Sequence, residues 1–227
     1  MSGSGDVGIE YTRWTAGTRW VSDDGGDRKA FLFVDGAEQG TLVLRDSSGS
    51  EAVRLYVDDG TDHGGIAVSD DGGDRKALLF VDGADRGQLV LRDDDGSQAS
   101  RLAVTDLGDG RLTMFDGSGL ERAALGVGSL GGGQLRLLNS QGRSVATLAA
   151  DVFSQHGFLT LRDDSAGFVP RVSLWVDGQR QGDLMLRGTA GRQAARLGVD
   201  DATDRGVLFL AGGGGSSRAQ LWVDEED

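Results

Sequence analysis

The chain has no cysteine. Disulfides, thiolate metal sites and thiol nucleophiles are excluded together. Proline occurs once, at Pro170, although glycine is abundant at 39 residues, so a collagen-like Gly-X-Y helix is ruled out. Glutamate is scarce as well. Of the 36 acidic residues 30 are Asp and six are Glu. Asp bonds nearby backbone N–H groups in turns whereas Glu favours helices, so the imbalance describes a turn-rich chain poor in helix. Lysine is confined to Lys29 and Lys76. No run is apolar enough for a membrane-spanning helix, and Met1-Ser2-Gly3-Ser4-Gly5 is not the start of a signal peptide.

The net charge of −13 opposes nucleic acid and anionic membranes as partners. Disorder is opposed by apolar residues that recur at regular spacing through the whole chain.

That spacing is a tandem repeat of about 23 residues. A glycine opens each of nine units: Gly17, Gly40, Gly64, Gly87, Gly110, Gly133, Gly157, Gly182 and Gly206. The template is G-x-L-x-L-x-D-x-x-G-x-x-x-A-x-L-x-V-D followed by a short loop. Leu42/Leu44, Leu89/Leu91 and Leu184/Leu186 represent the early apolar pair, and Leu55/Val57, Leu79/Val81 and Leu197/Val199 the late one. Only Arg19 departs at the third position. Residues two apart in a strand share a face, so each unit reads as two short strands, each with one apolar side. The D-x-x-G between them, as in Asp46-Ser47-Ser48-Gly49, suits a type I turn whose glycine takes positive φ.

A second period of 47 residues lies above the first: Ser22–Val34 and Ser69–Val81 are identical except for Phe31 against Leu78. Arg28, Arg75 and Arg122 fall in odd units, and Arg54, Arg101 and Arg196 in even ones.

One strand pair cannot bury its own apolar face, so units must stack. The expected fold is all-β: residues 1–16 as an N-terminal cap or closing strand, then a nine-unit array over 17–227 forming an elongated solenoid or fibre-like stack. The alternative is a five-bladed β-propeller with one 47-residue block per blade. The early and late Leu/Val positions are expected to be buried together, with Asp46, Asp93 and Asp163 exposed at turns.

Gly87-Gln88-Leu89-Val90-Leu91-Arg92-Asp93-Asp94-Asp95-Gly96 resembles the Gly/Asp-rich β-repeats of phage tail fibres and bacterial surface proteins. The resemblance covers residues 17–227. It implies fibre or attachment roles and an extracellular or virion-surface location, and carries over no catalytic residue.

Enzyme motifs are missing: there is no HExxH, nucleophile elbow or P-loop. His63 and His156 occupy equivalent loop positions before unit-opening glycines, where other units carry Gln, Arg or Asp. No cofactor is implied, with calcium the one candidate: Asp23, Asp24 and Asp27, and likewise Asp70, Asp71 and Asp74, cluster three carboxylates on one bend. Asp58/Asp59/Asp62 and Asp200/Asp201/Asp204 repeat this in the other loop. The alternative is solvated turn aspartates. Phe33, Phe80, Trp175 and Trp222, on the other strand face, are the candidates for self-association into a homo-oligomer; stacking on a surface glycan is the alternative use of the aromatics. The chain therefore reads as a non-enzymatic, self-associating structural repeat protein, with a ligand-binding module as the alternative.

Calcium at the acidic turns predicts that a chelator lowers the melting temperature well beyond an ionic-strength control. An unchanged melting temperature assigns these aspartates to solvent.

Overall fold

The computed structural model describes residues 18–34, 39–57, 63–128, 131–151, 156–163, 169–176, 181–188, 190–200, 205–212 and 216–223. Among these there is no helix; eighteen strands of four to eight residues account for the regular structure. The cap or closing strand expected in residues 1–16 lies outside the described residues.

Two compact units divide the strands. The first holds β1 (Arg19–Ser22), β2 (Arg28–Val34), β3 (Gly40–Arg45), β4 (Glu51–Val57), β5 (Gly64–Ser69), β6 (Arg75–Val81), β7 (Gly87–Arg92) and β8 (Gln98–Val104). The second holds β9 (Gly110–Phe115), β10 (Glu121–Val127), β11 (Gly133–Leu138), β12 (Ser144–Asp151), β13 (His156–Arg162), β14 (Pro170–Val176), β15 (Gly182–Arg187), β16 (Gln193–Asp200), β17 (Arg205–Ala211) and β18 (Ser217–Trp222).

Within each unit every strand pairs antiparallel with the next in sequence. Strands touch only their chain neighbours, so each unit is a single-layer meander, a linear stack of hairpins. This overturns the propeller alternative for each unit. Separate blades would break the ladder after β4, β12 and β16, yet β4–β5, β12–β13 and β16–β17 pair without a register shift.

The D-x-x-G turns form as the residue types dictate. The Gly49 N–H donates to the Asp46 carbonyl (3.2 Å), the Asp46 N–H donates to the Ser50 carbonyl (3.0 Å), and Gly49 sits at φ +87°. Only glycine adopts that φ freely. The geometry recurs at Gly26, Gly73, Gly96 and Gly142. After each such turn the register slips by one residue, as between Leu44↔Val53 and Arg45↔Glu51, which leaves Ala52 as an extra, bulged residue. The bulged position holds Lys29, Lys76, Arg122 and Arg171 in odd repeats and Ala52, Ala99, Val145 and Ala194 in even ones. The 47-residue period therefore has a structural meaning: a cation stands on every second bulge. Arg122 corresponds to Lys29 and Lys76, one place after Arg28 and Arg75.

A β-carbon on Gly49 or Gly96 meets no neighbour within 4 Å, and the same is true of Gly87, which lies in a strand without positive φ. Gly49→Ala and Gly96→Ala should therefore each destabilise by about 1–2 kcal/mol through backbone conformation alone. Gly87→Ala should be neutral or slightly stabilising. Urea unfolding of the three variants checks this, and equal effects would discount the turn geometry.

Candidate functional site

Strand register sorts the side chains onto two faces. On the first, rows such as Leu32↔Leu42↔Leu55↔Ile66↔Leu79↔Leu89↔Leu102 cross the first unit. Leu125↔Leu135↔Leu148↔Leu159↔Leu174↔Leu184↔Leu197↔Leu208↔Leu221 crosses the second. On the opposite face, Phe31↔Val43↔Arg54↔Ala67↔Leu78↔Val90↔Arg101 forms the central row of the first unit.

Burial reverses the expectation. Val43 is 1% exposed, Ala67 0% and Val90 8%, whereas Leu79 is 49% exposed and Leu102 50%. The face carrying the repeat's recurrent Leu and Val residues is the open one. Side-chain length explains why. On the mixed face, long residues alternate across strands with short ones and lie over them: Arg54 and Leu78 flank Ala67, and Phe31 and Arg54 flank Val43. Ala67, Leu78 and Val90 form a buried cluster there, with Tyr56 and Phe80 packed against it. A β-carbon on Gly65 would lie 2.7 Å from the Tyr56 ring, so that glycine exists to let the ring lie flat on the backbone. On the aliphatic face the central row of the first unit from Leu32 to Leu102 is leucine or isoleucine on every strand, with no long and short side chains alternating across it.

The mixed face also carries its own charge pairing. Arg54 meets Glu51 at 2.7 Å, Arg111 meets Glu121 at 2.7 Å, and Arg196 meets the buried Asp183 at 2.7 Å. The Asp183 carboxylate occupies space that a side chain on Gly198 would need, with Oδ1 3.0 Å from where that β-carbon would sit. Of the self-association candidates, Phe33, Phe80 and Trp175 are half-buried on this face and Trp222 is 47% exposed. Arg28 lies 4.6 Å over the Trp20 ring, Arg45 lies 5.0 Å over Phe31, and Phe31 stacks on Phe33 at 5.7 Å.

The calcium candidates are placed as turn elements. Asp23 Oδ1 accepts from the N–H groups of Gly25 (3.1 Å) and Asp27 (2.9 Å), and its Oδ2 pairs with Lys29 at 3.2 Å. Asp70 repeats this with Gly72, Asp74 and Lys76. Asp24, Asp27, Asp71 and Asp74 are exposed. Among the described residues, no three or more His, Cys, Asp or Glu side chains come together as a metal site. Asp58, Asp59, Asp62, Asp201 and Asp204 lie outside the described residues, as does the Asp200 side chain. Asp46, Asp93 and Asp163 are half-buried rather than exposed; Asp46 and Asp93 turn their carboxylates inward onto the turn amides. His63 Nε2 lies 2.8 Å from Asp85 Oδ1, and His156 begins β13 half-buried.

Sequence reasoning missed the role of the bulged cations. Lys29 reaches both its own turn and the next, donating to the Asp46 carbonyl at 3.3 Å. Lys76 joins Asp70 to the Asp93 carbonyl at 3.1 Å. Arg122 likewise joins Asp116 to the Asn139 carbonyl, and Arg171 joins Asp163 to the Gly188 carbonyl. Each cation staples two adjacent hairpin turns. The signal was present as the only two lysines of the chain standing 47 residues apart.

No family model matches the chain, and no curated protein does. Among solved structures, the chain is similar to the wild-type TCP10 domain of Danio rerio CPAP at 10% identity, covering 93% of this chain and 99% of that one, with TM-score 0.43. A porin-like protein from Bacteroides uniformis matches at 9% identity, covering 84% and 91%, with TM-score 0.21. Likenesses at these scores carry no functional argument.

Several turn carboxyls are held below the ordinary range. At Asp23 and Asp70 the leading cause is the N–H of Asp27 or Asp74, and the lysine partner comes next; at Asp46 it is the Ser48 hydroxyl, and at Asp82 the Arg86 guanidinium. Lowered values mean that this stabilisation is complete above about pH 4, the unfolded carboxyl range, and is lost as pH falls through the folded values. Lys76 is raised, chiefly by its hydrogen bond to Asp70. Its contribution is complete below about pH 10 and is lost as pH rises through the folded value. Melting temperature should therefore be flat from pH 5 to 9 and fall below pH 4. Asp46→Asn should stay close to wild type at neutral pH, because Asn139 natively accepts the same turn bonds from Gln141 (3.0 Å) and Arg143 (2.9 Å). Asp46→Ala should melt lower; equal melting of the two variants would discount the side-chain acceptor.

Proposed function

We propose that this chain is a non-enzymatic, self-associating structural repeat protein, a component of a fibre, an appendage or a virion or cell surface. The observation that carries the reading is the aliphatic face of each unit, with central leucines such as Leu79, Leu125, Leu148 and Leu197 about half exposed. Soluble monomers rarely leave a contiguous apolar patch of more than a few hundred Å² open to water, and patches of that size mark interaction surfaces. Repetition supports the same reading. Within each unit, copies of one template build a uniform surface, which suits contact with another uniform surface rather than one pocket around one substrate. The resemblance to tail-fibre and surface repeats agrees in kind.

Glycan binding through the aromatics is the weaker reading. At Trp20 and Phe31 the ring faces on which a sugar would stack are taken by Arg28 and Arg45.

Light scattering across a hundredfold concentration range tests the proposal. The expected outcome is a mass above that of one chain, rising with concentration. A single-chain mass at every concentration, with the β signal intact, would sink it.

A further inference from the structure

Self-association by itself leaves open which surface is buried. Resting on the reading above, we infer that a second copy of this chain docks through the aliphatic face, sheet on sheet, and not through the aromatic side of the strands.

Three observations point to the copy as occupant and to this face. The first is area. In the first unit the face spans eight strands about 4.8 Å apart and about five residues of about 3.4 Å each, roughly 650 Å² of surface. Two such faces together cover about 1,300 Å², inside the range of stable specific interfaces.

The second is shape. Late-strand valines face glycines along one border of the sheet, as in Val34↔Gly40, Val57↔Gly64 and Val81↔Gly87. Beside them runs the leucine row. A shallow groove of about 700 Å³ results, bordered by Leu42, Leu55, Val57, Ile66, Leu79 and Val81. The face thus presents a leucine ridge beside a Val/Gly trough two residues along the strands, about 7 Å away, and a second copy turned about a twofold axis offers the same ridge to the same trough.

The third is charge. Across the strand-to-strand rows of this face, Arg19 is the one charged residue among those described. The acidic turns lie at the strand ends, so two chains of charge −13 meet at this face without opposing carboxylates between them. Across the mixed face, each copy would have to bring its Arg54–Glu51 and Arg196–Asp183 pairs against another copy's. Desolvating such pairs opposes docking there.

The test uses the absence of native cysteine. Single variants Leu79→Cys and Leu102→Cys on the aliphatic face, and Arg101→Cys on the mixed face, are oxidised in dilute solution. The first two place a small apolar side chain where one already stands, so folding is retained. Disulfide-linked dimer from at least one leucine position and none from Arg101→Cys is the expected result. The double variant Leu79→Lys/Leu102→Lys should weaken association at least tenfold while keeping the strand signal. For wild type, the dissociation constant should fall between 50 mM and 1 M NaCl, because salt screens the repulsion between chains and does not weaken an apolar contact. Cross-linking from Arg101→Cys alone, or a salt-weakened oligomer untouched by the lysine pair, overturns the inference and leaves self-association standing. A wild-type chain that stays monomeric overturns both. Flotation of wild type with zwitterionic vesicles in place of oligomers assigns the face to lipid and overturns the inference too.

Discussion

Each unit depends on the hydrogen-bonded ladder from one hairpin to the next. Among the described residues each unit is one layer whose strands touch only their chain neighbours, so within it backbone pairing, turn geometry and one partly covered face hold the fold. The ladder persists only if every strand ends on time and returns in register. Glycines at positive φ, as at Gly49 and Gly96, supply the reversal, and the bulge after each turn absorbs the extra residue. Without that bulge the register would slip by one and every side chain would change face.

The acidic composition follows from the same constraint. Asp at the first turn position is there for its acceptor oxygen, as Asn139 demonstrates by doing the same task without a charge. The charge finds a second use in odd repeats, where Lys29 or Lys76 ties the carboxylate to the next turn. Hairpins are coupled in pairs, which gives the 47-residue period a mechanical basis. Acidic turns lie at the strand ends, leaving the described rows of the aliphatic face without a carboxylate between them.

The two faces therefore play unequal parts in the stability of a single chain. The mixed face does the folding: Tyr56 over Gly65, Arg54 beside Ala67, and Arg196 on Asp183 are contacts within one chain. The aliphatic face is the most regular part of the sequence and yet contributes least to the burial of a single chain. Regularity without burial is intelligible if the face is read by another regular surface.

The sequence alone determined the period, the strand pairs, the turns at D-x-x-G and the all-β class, because alternation of apolar residues, turn aspartates and left-handed glycines are local constraints on the backbone. It did not determine which face is covered. Period-two spacing separates Leu44 from Val43 but assigns neither to the interior, and the usual rule that the greasier side goes inward presumes a second layer. Only the tertiary structure, by setting Arg54 beside Ala67 and Phe31 beside Val43 across neighbouring strands, decided that the mixed side is the more buried one. The cation staples were hidden for a related reason: Lys29 and the Asp46 carbonyl are 17 residues apart in sequence and become neighbours only when two hairpins stand side by side.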